Sequence, residues 1–194
     1  SDGVLYEAKP VPWSGVKAVR FTTTISCTLT DLRDYLTDTA QLLKLDPLLM
    51  KLERINTHSD TALSLIFSAY SLFNSPVFGV SKRDFVTEIS SVYLRHTPEG
   101  LTNMTTSEGI NTDESSVFLQ GACSIEDETR PPTKGAVRGH SFAFGFIASP
   151  VRDGVHVIQV MSIDPKGWLP PAAIDASNKI QIEKLKKMQK TLAK

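Results

Sequence analysis

The 194-residue sequence predicts an α+β fold, an antiparallel sheet with a long helix laid across it at the C-terminal end. Three observations predict it. From Ala62 to Ile163 the chain reads as successive strand-like runs, each bounded by Gly, Pro, Asn or Asp clusters. Their connections are mostly short, whereas a parallel crossover needs about a dozen residues or more. After the mostly apolar run Val155 to Ile163 come Asp164-Pro165-Lys166-Gly167-Trp168-Leu169-Pro170, then an uninterrupted helical pattern to Lys194. Pro170-Pro171 fit only the opening of that helix, because proline has a fixed φ and no N–H to donate.

In chain order, Val16 to Ile25 is β-branched and alternating, and predicts a strand with one bulge or face change. Thr30 then offers a hydroxyl cap ahead of Asp31, and Leu32, Tyr35, Leu36, Leu42, Leu43 and Leu45 recur at largely helical spacing. Asp46-Pro47 should end that helix, followed by a helical turn or a bend to Leu52. Ala62 to Leu72 and Arg83 to Leu94 read as strands separated by Asn74-Ser75-Pro76 and Gly79, which favour turns. Leu101 to Ser107, Ser115 to Ser124, Ala136 to Ala148 and Val155 to Ile163 continue the sheet. The longest irregular stretch is Glu126 to Lys134, which holds Arg130-Pro131-Pro132.

Strand periodicity places Phe142, Phe144 and Phe146 on one face and Ala143, Gly145 and Ile147 on the other. The aromatic face must be buried, either as ordinary core or as the lining of a ligand space. The terminal helix carries Ile174, Ile180, Ile182, Leu185, Met188 and Leu192, an imperfect but adequate stripe for lying on a sheet. Its lysines (179, 184, 186, 187, 190 and 194) read as a solvated face that complements the helix dipole, with attraction to anionic lipid headgroups as the functional alternative.

Lysine plus arginine equals aspartate plus glutamate, at 21 each, so no net field gathers nucleic acid. Cys27 and Cys123 are too few for a disulfide scaffold and have no metal-ligand spacing, and His58, His96, His140 and His156 are scattered. No metal or cofactor is therefore expected, and a reduced, cytoplasmic setting is. No window approaches the roughly 20 apolar residues that cross a bilayer. The length suits one domain spanning residues 1–194, and a monomer is expected. The abrupt start at Ser1-Asp2-Gly3-Val4 suggests an excised domain or a removed leader.

Catalytic motifs are missing. There is no Gly-x-Ser-x-Gly elbow and no glycine-rich phosphate loop. Arg83 and Asp84 are adjacent, so on a strand they point to opposite faces and suit ion pairs that fix neighbouring segments. His140 has a suitable unperturbed pKa for a general base but no matched nucleophile or carboxylate.

Three blocks, taken in order, resemble the START family of lipid-transfer domains, named after the steroidogenic acute regulatory protein. They are Pro76-Val77-Phe78-Gly79-Val80-Ser81-Lys82-Arg83-Asp84-Phe85-Val86, Pro131-Pro132-Thr133-Lys134-Gly135-Ala136-Val137-Arg138-Gly139, and Asp164 to Pro170 with the helix that follows. The resemblance fades before Val16, where the family's usual first helix is not evident. It implies a helix-grip fold, a curved antiparallel sheet around the long C-terminal helix, enclosing a tunnel for one lipid. It also implies a lid, here Pro170 to Lys194 with about Ser149 to Gly154, and Gly154, Gly167 and Trp168 are its lid and hinge candidates.

The cavity candidates are Ser68, Tyr70, Thr87, Ile89, Phe142, Phe144, Phe146, Gln159, Met161, Ile174 and Met188. The family's sterol carriers pair a buried arginine, on the strand after Arg-Asp-Phe, with a carboxylate from the preceding strand. The matching position here is Ile89, and Ala62 to Leu72 holds no Asp or Glu, so that charge pair is missing. Among the polar candidates Tyr70 is preferred, since a phenol offers one hydrogen bond at the end of an apolar ring. The implied function is non-enzymatic binding and transfer of one lipid, whether phospholipid, sterol or another apolar molecule, with transient membrane contact. A lipid-sensing module of a larger protein is the alternative, and an enzyme using the same cavity, through His140 or Asp84, is the second.

Overall fold

Residues 3–12 and 15–193 are described by a computed structural model, so Ser1, Asp2 and Lys194 lie outside the described residues. In chain order the elements are β1 (Leu5–Pro10), β2 (Lys17–Ile25), α1 (Leu29–Thr37), α2 (Thr39–Leu45), β3 (Leu49–Asp60), β4 (Ser64–Phe73), β5 (Lys82–Thr97), β6 (Gly100–Asn103), β7 (Ser116–Ser124), β8 (Ala136–Arg138), β9 (His140–Val151), β10 (Gly154–Asp164) and α3 (Pro171–Leu192). The strands form one curved sheet in the order β1-β2-β10-β9-β7-β5-β4-β3, with β6 and β8 also paired to β5. Every pairing is antiparallel except the short one between β8 and β5. The predicted α+β architecture, with α3 across the concave face, is the one observed.

Locally, the structure departs from the sequence reading in three places. Thr28, not Thr30, caps α1: its hydroxyl accepts from Asp31 N at 3.1 Å, and the Asp31 carboxylate accepts from Thr28 N at 3.1 Å. This reciprocal capping box satisfies two otherwise orphaned donors, which a lone hydroxyl at Thr30 would not. The expected single helix is two, because Asp38 both ends α1 and caps α2 by accepting from Ala40 N and Gln41 N. The expected bend to Leu52 is the beginning of a 12-residue edge strand, β3. Its charged sequence hides it, and three irregularities in its register with β4 break the two-residue period that would reveal it.

The interior is filled at one end. Thr23, Val157, Ala148, Phe118 and Tyr93 form one row across five strands, every one of them buried. Leu29 and Leu32 of α1 and Leu185 and Met188 of α3 close over this end. Burial pushes the Tyr93 phenol up to about 12, because ionising it in this apolar setting would strand a charge. Gln189 ties α3 to the sheet by donating to Thr23 Oγ1 and Thr24 O, each at 2.9 Å.

Candidate functional site

Two rows further along the same strands the interior is hollow. Register places Val19, Met161, Phe144, Ala122, Ile89 and Phe67 side by side on the concave face, and all six line a cavity of about 720 Å³ beneath α3. Ligand pockets commonly span about 300–1,000 Å³, and this space falls within that range. Between this row and the filled end lies a mixed row, Phe21, Gln159, Phe146, Gln120 and Ser91. Gln120 donates to Ser91 Oγ at 3.0 Å, and Gln159 donates to Gln181 Oε1 of α3 at 3.3 Å.

Among the described residues, four of the cavity's charged groups are already engaged, and the fifth, Lys17, is exposed at the surface. Arg83 is buried and donates to four carbonyls: Ser81 at 2.5 Å, Pro165 at 3.1 Å, Lys166 at 3.0 Å and Trp168 at 3.4 Å. Desolvation lowers its pKa, yet a guanidinium stays charged at any physiological pH. Lys184 of α3 meets Asp46, just past α2, at 2.6 Å, with both side chains largely buried. Arg54 lies over the Phe67 ring at 4.2 Å and donates to Thr37 O at 3.4 Å. Exposed Lys17, Ser81 and Ile174 bring the lining to the surface between the start of β2, the β4–β5 loop and the N-terminal half of α3.

No histidine or cysteine lines the cavity among the described residues, and those residues hold no group of three or more His, Cys, Asp or Glu side chains. Asp84 and His140, the sequence's acid–base candidates, are not among the lining residues. Asp84 is fully buried, where it accepts from Arg138 Nε at 3.0 Å, Arg138 Nη2 at 3.1 Å and Thr133 N at 2.9 Å. Burial alone would raise its pKa, but the Arg138 and Thr133 hydrogen bonds outweigh it and hold the carboxyl below the ordinary range. The chemistry on offer in the cavity is enclosure with neutral hydrogen bonding.

The START domain profile matches residues 3–194. The chain belongs to the START family. Solved structures share its fold: human StAR-related lipid transfer protein 5, at 19% identity and a TM-score of 0.75, covers 99% of this chain and 83% of its own. Human STARD10, at 18% identity and 0.69, covers 98% and 69%. A STAR-related lipid transfer protein fragment from Xanthomonas axonopodis, at 18% identity and 0.66, covers 100% and 96%. No curated protein matches the sequence.

Within this START domain Thr87, Ile89, Phe144, Phe146, Gln159, Met161, Ile174 and Met188 line the cavity, while Ser68, Tyr70 and Phe142 do not. Ser68 and Tyr70 fall on the convex side, because the inward set of β4 is Phe67, Ala69, Ser71 and Phe73. Tyr70 meets Thr133 Oγ1 at 2.5 Å, under the loop before β8, and Ser68 meets His58 Nε2 at 3.0 Å. Phe142 is turned out by a bulge: Ser162 pairs with Ala143 but Ile163 with Ser141, so Phe142 is the extra residue and packs edge-on to His140. Ser141 takes its place facing the cavity.

Of the lid candidates, Gly154 closes the β9–β10 hairpin at the filled end. A Cβ there would stand 2.1 Å from Ile25 O, so the site needs glycine for close approach, and residues 149–154 contribute nothing to the lining. Gly167, at φ +65°, follows Lys166 at φ +52° in the turn that Arg83 holds, and Trp168 is 77% exposed beside it. The sequence reading passed over Gln120, although its position between inward Phe118 and Ala122 was readable from the alternation in β7.

Proposed function

We propose that this START domain holds one lipid molecule in the cavity and carries it between membranes without altering it chemically. The carrying observation is the 720 Å³ space lined mainly by apolar side chains, held open between the sheet and α3. A lipid leaving a bilayer exposes its chains to water at a penalty of roughly 25 cal/mol per Å² of apolar surface, and an apolar chamber removes that penalty. Two of the solved structures with this fold carry the name lipid transfer protein.

Membrane contact is assigned to the open side. Phe78 is fully exposed on the β4–β5 loop, Trp168 stands out from the turn before α3, and Ile174 is 51% exposed on the first turn of the helix. Those same segments supply lining residues Pro76, Ser81, Leu169 and Ala173, so a bilayer that received the aromatics would face the cavity mouth. Entry requires the turn at 165–170 and the N-terminal half of α3 to swing aside about Gly167. The domain acts as a monomer in the cytoplasm.

The test incubates purified protein with mixed-lipid vesicles, separates the two, and extracts the protein for mass spectrometry, alongside a vesicle-to-vesicle transfer assay. One lipid per protein and accelerated transfer are expected. Protein that takes up no lipid of any class and leaves transfer at the spontaneous rate refutes the reading.

A further inference from the structure

We infer that the inner end of the cavity selects an uncharged lipid that carries a free hydroxyl, and that Gln120 and Gln159 are the residues that read it. The inference rests on the lipid-cavity reading above and adds a ligand class to it. Both glutamines are more than nine-tenths buried, both line the cavity, and register sets them on either side of Phe146 at its filled end. A strand spacing of about 4.8 Å puts them roughly 10 Å apart, so a single headgroup engages one of the two.

Their hydrogen-bond inventory sets the chemistry. Gln159 Nε2 has two partners, Gln181 Oε1 and, at 3.6 Å, Met161 Sδ; Gln120 Nε2 has one, Ser91 Oγ. Neither side-chain carbonyl oxygen has a partner among the described residues. An amide carbonyl accepts two hydrogen bonds, so this end presents acceptors that lack a donor, with one spare N–H on Gln120. A hydroxyl answers both needs. A phosphodiester brings only acceptors together with a negative charge, and at this inner end no cation among the described residues answers it: Arg83 is bound to carbonyls, Lys184 to Asp46 and Arg54 to Thr37 O, while Lys17 is exposed at the start of β2. Burying an unpaired phosphate against amide oxygens is prohibitive, while a hydroxyl can donate to a glutamine oxygen at the cavity wall and so keeps its own hydrogen bond on entering.

The experiment loads the native protein from vesicles holding equal parts phosphatidylcholine, phosphatidylserine, dioleoylglycerol and cholesterol, and quantifies extracted lipid. Parallel loading compares cholesterol with 5α-cholestane, which has the same rings and no hydroxyl. The expected result is that dioleoylglycerol, cholesterol or both exceed each phospholipid by about tenfold, and that cholesterol or dioleoylglycerol loses about three- to tenfold in retention in Gln120→Leu or Gln159→Leu, the loss expected of one net hydrogen bond. The arm retained identifies sterol or acylglycerol as the source of the hydroxyl. Thermal melts of both variants check folding, and the preference of the native protein for hydroxylated lipid over cholestane needs no variant. Phospholipid retained at its vesicle proportion or above, or a hydroxylated lipid held no better than cholestane, overturns the inference while leaving lipid carriage intact. Absence of any bound lipid overturns both.

Discussion

Replacing Asp84 with alanine removes a carboxylate that is wholly out of water and accepts three hydrogen bonds, two from Arg138 and one from Thr133 N. Breaking a buried ion pair by deleting one partner costs about 3–5 kcal/mol, and the low end applies because Arg138 is 25% exposed and keeps Arg130 O as an acceptor at 3.0 Å. At about 2–4 °C per kcal/mol for a domain of this size, the loss of about 3 kcal/mol lowers Tm by about 6–12 °C. Arg138→Ala is worse at neutral pH, about 4–5 kcal/mol, since it leaves the buried carboxylate charged. The two variants also differ in sign with pH. Asp84's depressed pKa means its stabilisation is present above about pH 4, the unfolded value, and is lost as pH falls through the lower folded value, so the penalty of Asp84→Ala shrinks in acid below that range. Without Arg138 the same carboxyl is raised by burial, folding then takes up a proton, and the Arg138→Ala penalty shrinks on going from pH 7 towards 5. Urea unfolding of the native protein, both variants and the double variant at pH 7, at pH 5 and in acid below pH 4 reads all of this. A double variant whose loss is the sum of the single losses, or an Asp84→Ala loss under about 1 kcal/mol, refutes the reasoning.

Two further perturbations probe the hollow and its mouth. Leu185→Ala, at the filled end of α3 and 1% exposed, is expected to cost about 2–5 kcal/mol in urea unfolding, while Ile174→Ala on the exposed first turn stays within about 0.5 kcal/mol; equal losses would contradict the division of the interior into filled and open ends. Phe78→Asp combined with Trp168→Ala should reduce sedimentation with vesicles at least about tenfold, since each aromatic contributes about 1.5–3 kcal/mol when taken out of water, with Tm unchanged because both side chains are exposed; unaltered sedimentation places the membrane contact elsewhere.

The sequence makes the sheet legible wherever alternation runs unbroken, and it fails where a single residue is inserted. Arg83 and Asp84 were readable as opposite-facing on one strand, and they do anchor different segments, Pro165–Trp168 on one side and Thr133 with Arg138 on the other. Phe142 was read with Phe144 and Phe146 because the bulge opposite Ser162 and Ile163 leaves no mark in composition. Side-chain chemistry alone misled at Tyr70. A tyrosine and a serine at alternate positions of a strand fit a polar cavity wall equally well, and only the loop before β8, folded over the convex side, shows why that side is buried too. Edge strand β3 was unreadable since its pairing is carried by the backbone and its side chains are mostly charged or polar. Gln120 was missed for the opposite reason: alternation in β7 marks it as inward, but a lone glutamine between apolar neighbours does not reveal its role until register puts it beside Phe146 and Ser91.

A hollow interior forfeits the packing that would otherwise hold helix to sheet, so α3 must be held by other means, and those means are unevenly placed. Its second half has buried Leu185 and Met188, the Lys184–Asp46 pair, Lys187 donating to Lys44 O at 2.6 Å, and Gln189 clasping β2. Its first half has one buried residue, Ala173, no side-chain cap, two long side-chain hydrogen bonds at 3.3 Å (Asn178 to the Tyr6 hydroxyl, Gln159 to Gln181), and the preceding turn hung on the single guanidinium of Arg83. Were the helix to open from its N-terminal end as proposed, the filled core would be untouched, and the bonds broken would be those of Arg83 to carbonyls that water satisfies equally well and those of Asn178 and Gln181. Arg83 neighbours Asp84 on the same strand, so the latch on the cavity side is backed on the other by the ion pair of the fully buried Asp84 with Arg138. In such an opening the strand that carries Arg83 would stay fixed while the turn it holds came free.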